Sequence, residues 1–188
     1  MSLEMTLLTI AFIDAYIVTR GLKSAPRAAK TIERGPDRMD AFKLLTQDHD
    51  ELRRLFEALE ASPRFTRVRH RLFATLREDL DLHTQAEKEV LYPALAASAS
   101  PELQRLARAA VEEHRAVEDL LEELADLGPD DEDFEAKLAV LRHDVLQHVE
   151  DEEREMFAEA RRELEKSRLE QLGRELAERK EALKAQPA

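Results

Sequence analysis

Cysteine is absent from the sequence, which excludes disulfide bonds, thiolate metal sites and cysteine nucleophiles. Glycine is scarce, with four residues in 188, and aromatic residues make up only 5%. So few turn-forming and aromatic residues argue against a β-sandwich or a barrel, whereas 43% apolar and 37% charged residues suit amphipathic helices. A chain without cysteine also fits a reducing compartment, so we expect a cytoplasmic protein.

An excess of positive charge is lacking as well. The formal net charge is −12, which disfavours nucleic acid and anionic membrane surfaces as partners. The same charge suits a site that attracts cations. The length is enough for one domain with a sizeable core and extra helices, and it leaves the oligomeric state open.

The N-terminal segment has an apolar run that is too short to span a membrane. The run covers residues 6–18 and is interrupted by Asp14. Glu4 precedes it, where a secretory signal would have positive charge. We interpret residues 1–39 as an accessory helix and linker. A weak membrane-surface contact and a translation start at Met39 remain open alternatives.

Apolar residues recur at alternating spacings of three and four along residues 40–165, which predicts four amphipathic helices. The predicted helices are Asp40–Ala61, Phe65–Ala97 with a kink or early end at Pro93, Pro101–Leu127 with Ser100 as N-cap, and a fourth that Asp130 and Asp131 cap and that ends near Glu165. Their short loops predict an all-α, up-down-up-down antiparallel four-helix bundle. Residues 166–188 are expected to form a charged C-terminal helix, over about 171–184, and a tail.

Each predicted helix has one histidine on its apolar stripe, and two helices have a glutamate one turn later. These six residues are His49, His83, Glu87, His114, His148 and Glu152. With a rise of about 1.5 Å per residue, they fall within about one or two helical turns of a common plane. Burying imidazoles and carboxylates is unfavourable unless they are paired or bind a metal. His70 and His143 fall off the stripes and are not expected at the site.

The six residues form an internal repeat. Two histidines 34 residues apart, with a glutamate four residues after the second, occur twice with a common offset of 65 residues. Flanking residues agree too, since Asp48 matches Glu113 and Tyr92 matches Phe157. Two helix pairs related by a pseudo-twofold axis would bring two similar half-sites face to face. That arrangement suits a centre with two metal ions.

The candidate ligands are all nitrogen and oxygen donors, which allows iron, manganese, zinc or copper. Carboxylates that can bridge two ions favour a dinuclear site. Ferritin-like di-iron proteins use Glu-x-x-His pairs. None of the six histidines has a glutamate three positions before it, which argues against that family.

Residues 40–165 resemble the hemerythrin-like, or HHE cation-binding, family. The matching pieces are Asp40–His49, His83-Thr-Gln-Ala-Glu87 followed by Leu91-Tyr-Pro, Glu112-Glu-His114 and His148-Val-Glu-Asp-Glu152-Glu. The resemblance implies two iron ions joined by an oxo or hydroxo bridge, with manganese or zinc as substitutes. It also implies that the four stripe histidines are terminal ligands, that Glu87 and Glu152 bridge the ions, and that O2, peroxide or NO is the small ligand.

The sequence departs from the oxygen-carrying members of that family at two points. They have a second histidine one turn after the third-helix histidine, where this chain has Glu118, and an aspartate five residues after the last histidine. Here Glu152 is four and Glu153 five residues after it. Glu118 is either a further metal ligand or a solvated surface residue. Tyr92 is expected to pack against the bundle rather than to reach the metals.

Four functions are compatible with this pattern. The first is a di-iron protein that binds or senses O2, NO or redox state, and the second is an enzyme that decomposes peroxide or handles NO. Iron buffering is the third. The fourth is a metal-free interaction bundle, which the repeated positions of the six residues argue against.

Overall fold

The computed structural model describes residues 39–185, which contain helices and no strand. The predicted N-terminal accessory helix therefore lies outside the described residues. The helices are α1 (Ala41–Ala61), α2 (Arg67–Ala86), α3 (Tyr92–Ala96), α4 (Pro101–Leu127), α5 (Phe134–Asp151), α6 (Phe157–Glu163) and α7 (Lys166–Lys184). A π-helical turn, Glu87–Leu91, joins α2 to α3, and a second one, Glu152–Met156, joins α5 to α6. Within the described part, no helix has the length and apolar character needed to cross a membrane.

Side-chain caps fix where three of the helices begin. Asp40 accepts a hydrogen bond from the Lys43 N–H at 2.9 Å and starts α1. Thr66 caps α2, and Ser100 caps α4 as predicted. The predicted start of the second helix at Phe65 is wrong, because Phe65 has a left-handed backbone with φ of 59° and lies outside the helix.

The predicted caps of the fourth helix are also wrong. Asp133 is the N-cap residue of α5, and its side chain makes no capping hydrogen bond. Asp131 instead accepts a hydrogen bond from the Asp133 N–H at 2.8 Å, so it shapes the loop before the helix. Asp130 lies 3.0 Å from His70 of α2. The two aspartates are therefore used in the loop and in a contact between helices.

The two π turns occupy equivalent places in the repeat, since each begins at a glutamate and the two glutamates are 65 residues apart. π turns are rare and are frequent at functional sites. Pro93 follows the first turn directly, and the helix continues through it to Ala96. A proline has no N–H to donate, and it is tolerated here because the widened turn has already interrupted the regular hydrogen-bond pattern.

Two apolar clusters fill the interior, one on each side of a polar layer. One contains Leu52 to Leu59 of α1 together with parts of α2, α4 and α5. The other contains Phe42 and Leu45 of α1 together with residues of α3, α4, α6 and α7. His49 lies between them on α1 and is completely buried. The other helices have the same order, so the layer crosses the whole helical assembly.

Helix α7 begins five residues earlier than predicted and packs closely on α1. Leu164 is extended and ends the preceding helix after Glu163, which lets α7 start at Lys166. Gly173 allows the close approach, because a Cβ atom there would lie 2.4 Å from the Met39 carbonyl oxygen. Lys180 also pairs with Asp48 of α1. The C-terminal helix therefore covers the α1 side of the polar layer.

Candidate metal centre

The polar layer contains the six residues of the repeat, and none of their side chains is more than 5% exposed. His49 comes from α1, His83 from α2, His114 from α4 and His148 from α5. The two glutamates each begin a π turn. The helices thus deliver four imidazoles and two carboxylates from four directions to one water-excluded place.

Each carboxylate contacts one histidine from each half of the repeat. Glu87 Oε2 is 3.1 Å from His83 Nε2 and 3.5 Å from His114 Nε2. Glu152 Oε2 is 3.4 Å from His49 Nε2, and its Oε1 is 3.7 Å from His148 Nε2. Equivalent distances on the two sides follow from the pseudo-twofold relation. Both carboxylates are placed where a bridge between two ions would be.

The donor atoms fall into two groups that could each hold an ion. In each group the atoms lie within 4.8 Å of one another. The groups are His49, His83, Glu87 and Glu152, and Glu87, His114 and His148. Glu87 belongs to both groups, so two adjacent ions could share it.

Unsatisfied atoms inside the layer show that the residues fit a metal. No protein hydrogen-bond partner exists in the described part of the chain for His49 Nε2, His83 Nε2, Glu87 Oε1 and Glu152 Oε2. Buried polar groups without partners cost about 1–3 kcal/mol each. A cation coordinated by these nitrogen and oxygen donors would remove that cost.

Carboxylates outside the layer contact the outer ring nitrogens of three histidines. His49 Nδ1 is 2.8 Å from Glu153 Oε1, and His148 Nδ1 is 2.8 Å from Glu113 Oε2. His83 Nδ1 is 3.7 Å from Asp48, which is an ion-pair distance and too long for a hydrogen bond. A carboxylate at Nδ1 leaves Nε2 free for a metal and fixes the ring orientation.

The Tyr92 hydroxyl lies at the middle of the layer. It donates to Glu87 Oε2 at 3.1 Å and to Glu152 Oε1 at 2.8 Å, and it is 3.0 Å from His114 Nε2. The expectation that Tyr92 only packs against the bundle is therefore wrong. In a regular α-helix, a residue five positions after Glu87 would face about 140° away from it. The π turn between them brings Tyr92 back over the carboxylate.

The remaining sequence candidates lie elsewhere. Glu118 forms an ion pair with Lys88 at 2.7 Å and does not belong to either donor group. His70 contacts Asp130 on the surface, and His143 is exposed. The off-stripe positions of both histidines match these placements.

The two buried carboxylates have opposite pKa shifts. Burial raises the pKa of Glu87, and the neighbouring Glu152 carboxylate raises it further. Burial would also raise the pKa of Glu152, but the charge of His148 and a hydrogen bond from His49 outweigh it and hold this pKa well below its usual range. Burial lowers the pKa of His83 to about 4, so this imidazole is in its neutral, metal-binding form at neutral pH.

Comparisons with known proteins agree with this geometry. Residues 40–160 match the model of the hemerythrin HHE cation binding domain. Uncharacterized protein Rv2633c of Mycobacterium tuberculosis is 31% identical over 150 residues, which cover 79% of this chain and 90% of that protein. A protein of Nostoc named DNA nickase is 28% identical over 143 residues, which cover 74% of this chain but only 39% of that protein.

A solved structure is similar as well. It is the crystal structure of a hemerythrin HHE cation binding domain-containing protein from Mycobacterium kansasii, a homolog of Rv2633c. Its TM-score to this chain is 0.67 at 28% sequence identity, and the match covers 76% of this chain and 86% of that one.

Proposed function

The chain belongs to the hemerythrin HHE cation-binding family, as its histidine and glutamate motifs predict, and on that premise we propose that it is a cytoplasmic non-haem two-iron protein that binds or senses O2, NO or redox state. The observation that carries this proposal is the position of Glu87 and Glu152, each within 3.7 Å of one histidine from each half of the repeat. Such a pair of carboxylates suits two ions held side by side.

His49 and His83 would hold one ion, and His114 and His148 the other. Glu87 and Glu152 would lie between them. When bound, the iron pair supplies redox chemistry toward small oxygen and nitrogen species, which side chains alone cannot perform. Tyr92 holds a proton at its hydroxyl within hydrogen-bond distance of both carboxylates, and burial raises its pKa well above the usual value.

We also propose the up-down-up-down bundle for the helices that supply these groups. Two contacts between α1 and α2 support opposite directions. Arg69 near the start of α2 donates to the Leu59 carbonyl near the end of α1, whereas His83 near the end of α2 faces Asp48 in the first half of α1. His114 and His148 make the corresponding contact between α4 and α5, at 2.9 Å between their Nε2 atoms.

The missing second histidine of the third bundle helix supports small-ligand binding. Glu118 stands at that position and pairs with Lys88, so the His114 half has one protein donor fewer than the other half. A cavity of about 470 Å³ opens between α3 and α4 beside it, lined by Tyr92, Lys88, Arg108 and Val111 among others. A small molecule could reach the His114 half by this route.

Metal analysis and an optical spectrum of protein purified from iron-supplied cells test the proposal. We expect about two iron ions per chain and a spectrum that changes reversibly with oxygen or NO. His83→Ala with His148→Ala should lose most of the iron, and His70→Ala with His143→Ala is the matched control. Less than one iron per chain in the unmodified protein, or full iron in the His83 and His148 variant, would contradict it.

Peroxide decomposition is the second candidate function. The Tyr92 hydroxyl favours it, because a proton donor stands beside the proposed ions and at the wall of the cavity. Oxygen evolution from added peroxide, lost in Tyr92→Phe at unchanged iron content, would support an enzyme. A reversible spectral change without turnover supports a binding or sensing role. Uptake of many weakly held ions would instead indicate iron buffering.

A further inference from the structure

Two ion pairs beside the polar layer occupy equivalent positions in the repeat but have their charges exchanged. Arg53 Nη2 is 3.0 Å from Glu153 Oε2 in one half. The residues 65 positions away from these two are Glu118 and Lys88, which pair at 2.7 Å in the other half. The acidic member therefore comes from the π turn in one half and from α4 in the other.

The exchange changes what stands behind one histidine of each half. Glu153 places a carboxylate oxygen 2.8 Å from the outer nitrogen of His49. Lys88 has the equivalent position near His114, and an ammonium group cannot accept a hydrogen bond from a ring N–H. His114 Nδ1 is buried and has no hydrogen-bond partner among residues 39–185. Of the four imidazoles, His114 alone has no carboxylate at this nitrogen.

We propose that this charge exchange makes the two metal positions unequal, so that the His49 half fills first and the His114 half binds its ion more weakly. The inference rests on the proposed two-metal function. It makes Glu153 a positioning residue of the tighter half and Lys88 the residue that weakens the other.

Three physical effects act in the same direction. A carboxylate at the outer nitrogen fixes the ring and makes it a better donor, and loss of such partners costs about 10–100-fold in metal affinity. The Lys88 ammonium repels a second cation, whereas Glu153 attracts the first. The His49 group also offers four donor residues and the His114 group three.

The test is a metal titration of the full-length apo protein with Co²⁺ against a colour-forming chelator. The unmodified chain should bind two ions in steps that differ about 10–100-fold in affinity. Lys88→Glu combined with Glu118→Arg copies the Arg53–Glu153 arrangement, and it should raise the second affinity about tenfold or more and narrow the gap. The reverse exchange, Arg53→Glu with Glu153→Lys, should lower the first affinity.

An exchanged surface pair is the matched control. Lys137 and Glu123 form an ion pair between exposed side chains, and Lys137→Glu with Glu123→Lys should leave both steps unchanged. Circular dichroism and melting of each apo variant check the fold. If the Lys88 variant does not fold, Glu153→Gln against Glu153→Ala gives the test, because the amide oxygen still accepts from His49 and should retain more of the first affinity.

The outcomes separate the two proposals. Two ions bound in one unseparated step, or an unchanged second step after the Lys88 and Glu118 exchange, overturns the inequality and leaves the two-metal function standing. A chain that binds no Co²⁺ and no iron overturns the two-metal function itself. A lower second affinity in the exchanged variant would also overturn the role assigned to Lys88.

Discussion

The Tyr92 hydroxyl donates a 2.8 Å hydrogen bond to Glu152, so a residue just after the first π turn contacts the first residue of the second. Its repeat counterpart, Phe157, has no hydroxyl and instead stacks on His49 with ring centroids 6.0 Å apart. The aromatic position is shared by both halves, but only one half supplies a proton donor. The repeat therefore gives a symmetric frame with one chemically distinct side.

Tyr92→Phe should destabilise the apo protein more than the metal-loaded one. Without metal, the hydroxyl is a buried donor to both carboxylates, and its loss should cost about 1–2 kcal/mol. With metal, the carboxylates have another partner and the loss should be smaller. Urea unfolding of both forms measures the difference. An equal or greater loss in the loaded form would place the hydroxyl's importance elsewhere.

Removal of metal should lower the stability of the unmodified protein. The unsatisfied atoms of His49, His83, Glu87 and Glu152 then lose their only available partner inside the polar layer. A ligand that binds only the folded chain stabilises it by about 2.7 kcal/mol at a free concentration of 100 times its dissociation constant. Thermal melting with iron and after chelation compares the two states. Identical melting curves would show that no ion is bound at these residues.

The polar layer was predictable because its signal is long-range and exact in spacing. A histidine that replaces an apolar residue once per stripe, and that repeats after 65 residues, has no explanation in surface charge alone. Helix periodicity predicts the inward direction of each such side chain. Four helices and the six convergent residues follow from these two observations.

Local backbone geometry was not predictable in the same way. A π turn depends on which carbonyls the surrounding packing leaves unpaired, and no residue type specifies it. Counting by α-helical periodicity therefore turned Tyr92 away from the site. The cap of α5 was missed for a related reason, since three aspartates in a row compete for one position and tertiary contacts of Asp130 decide between them.

Substitution of single histidines should separate the layer from the surface. His83→Ala and His148→Ala each remove a buried donor, and both should lower the iron content. His70→Ala and His143→Ala change exposed side chains and should leave it unchanged. Elemental analysis of proteins purified in parallel measures this. Reduced iron in either surface variant would show that the donor set is drawn wrongly.

Arg69 is a buried cation that the sequence pattern does not reveal, and its loss should destabilise the chain. Its side chain is 1% exposed and donates to the Leu59 carbonyl at 2.8 Å and to the Ser62 hydroxyl at 3.1 Å. Arg69→Met keeps the apolar stem but leaves these acceptors unpaired, which should cost about 2–3 kcal/mol in urea unfolding. Glu135→Gln, at its half-exposed partner, should cost under about 1 kcal/mol. Similar losses in both variants would contradict this assignment.

Gly173→Ala gives a test of how α7 packs, because two effects predict opposite signs. Helix propensity alone favours alanine by about 1 kcal/mol. The new Cβ would lie 2.4 Å from the Met39 carbonyl oxygen and 2.9 Å from the Asp40 carbonyl carbon, which are backbone atoms that cannot rotate away. We therefore expect a loss of about 1–3 kcal/mol in urea unfolding, with faster hydrogen exchange in α7.

Ala177→Gly is the matched control on the exposed face of the same helix. It should cost about 1 kcal/mol through propensity alone and calibrates how strongly the stability of α7 contributes to unfolding of the whole chain. Stabilisation by Gly173→Ala of the same size as this loss would mean that α7 does not approach the start of α1. Destabilisation would show that the C-terminal helix belongs to the folded unit that encloses the polar layer.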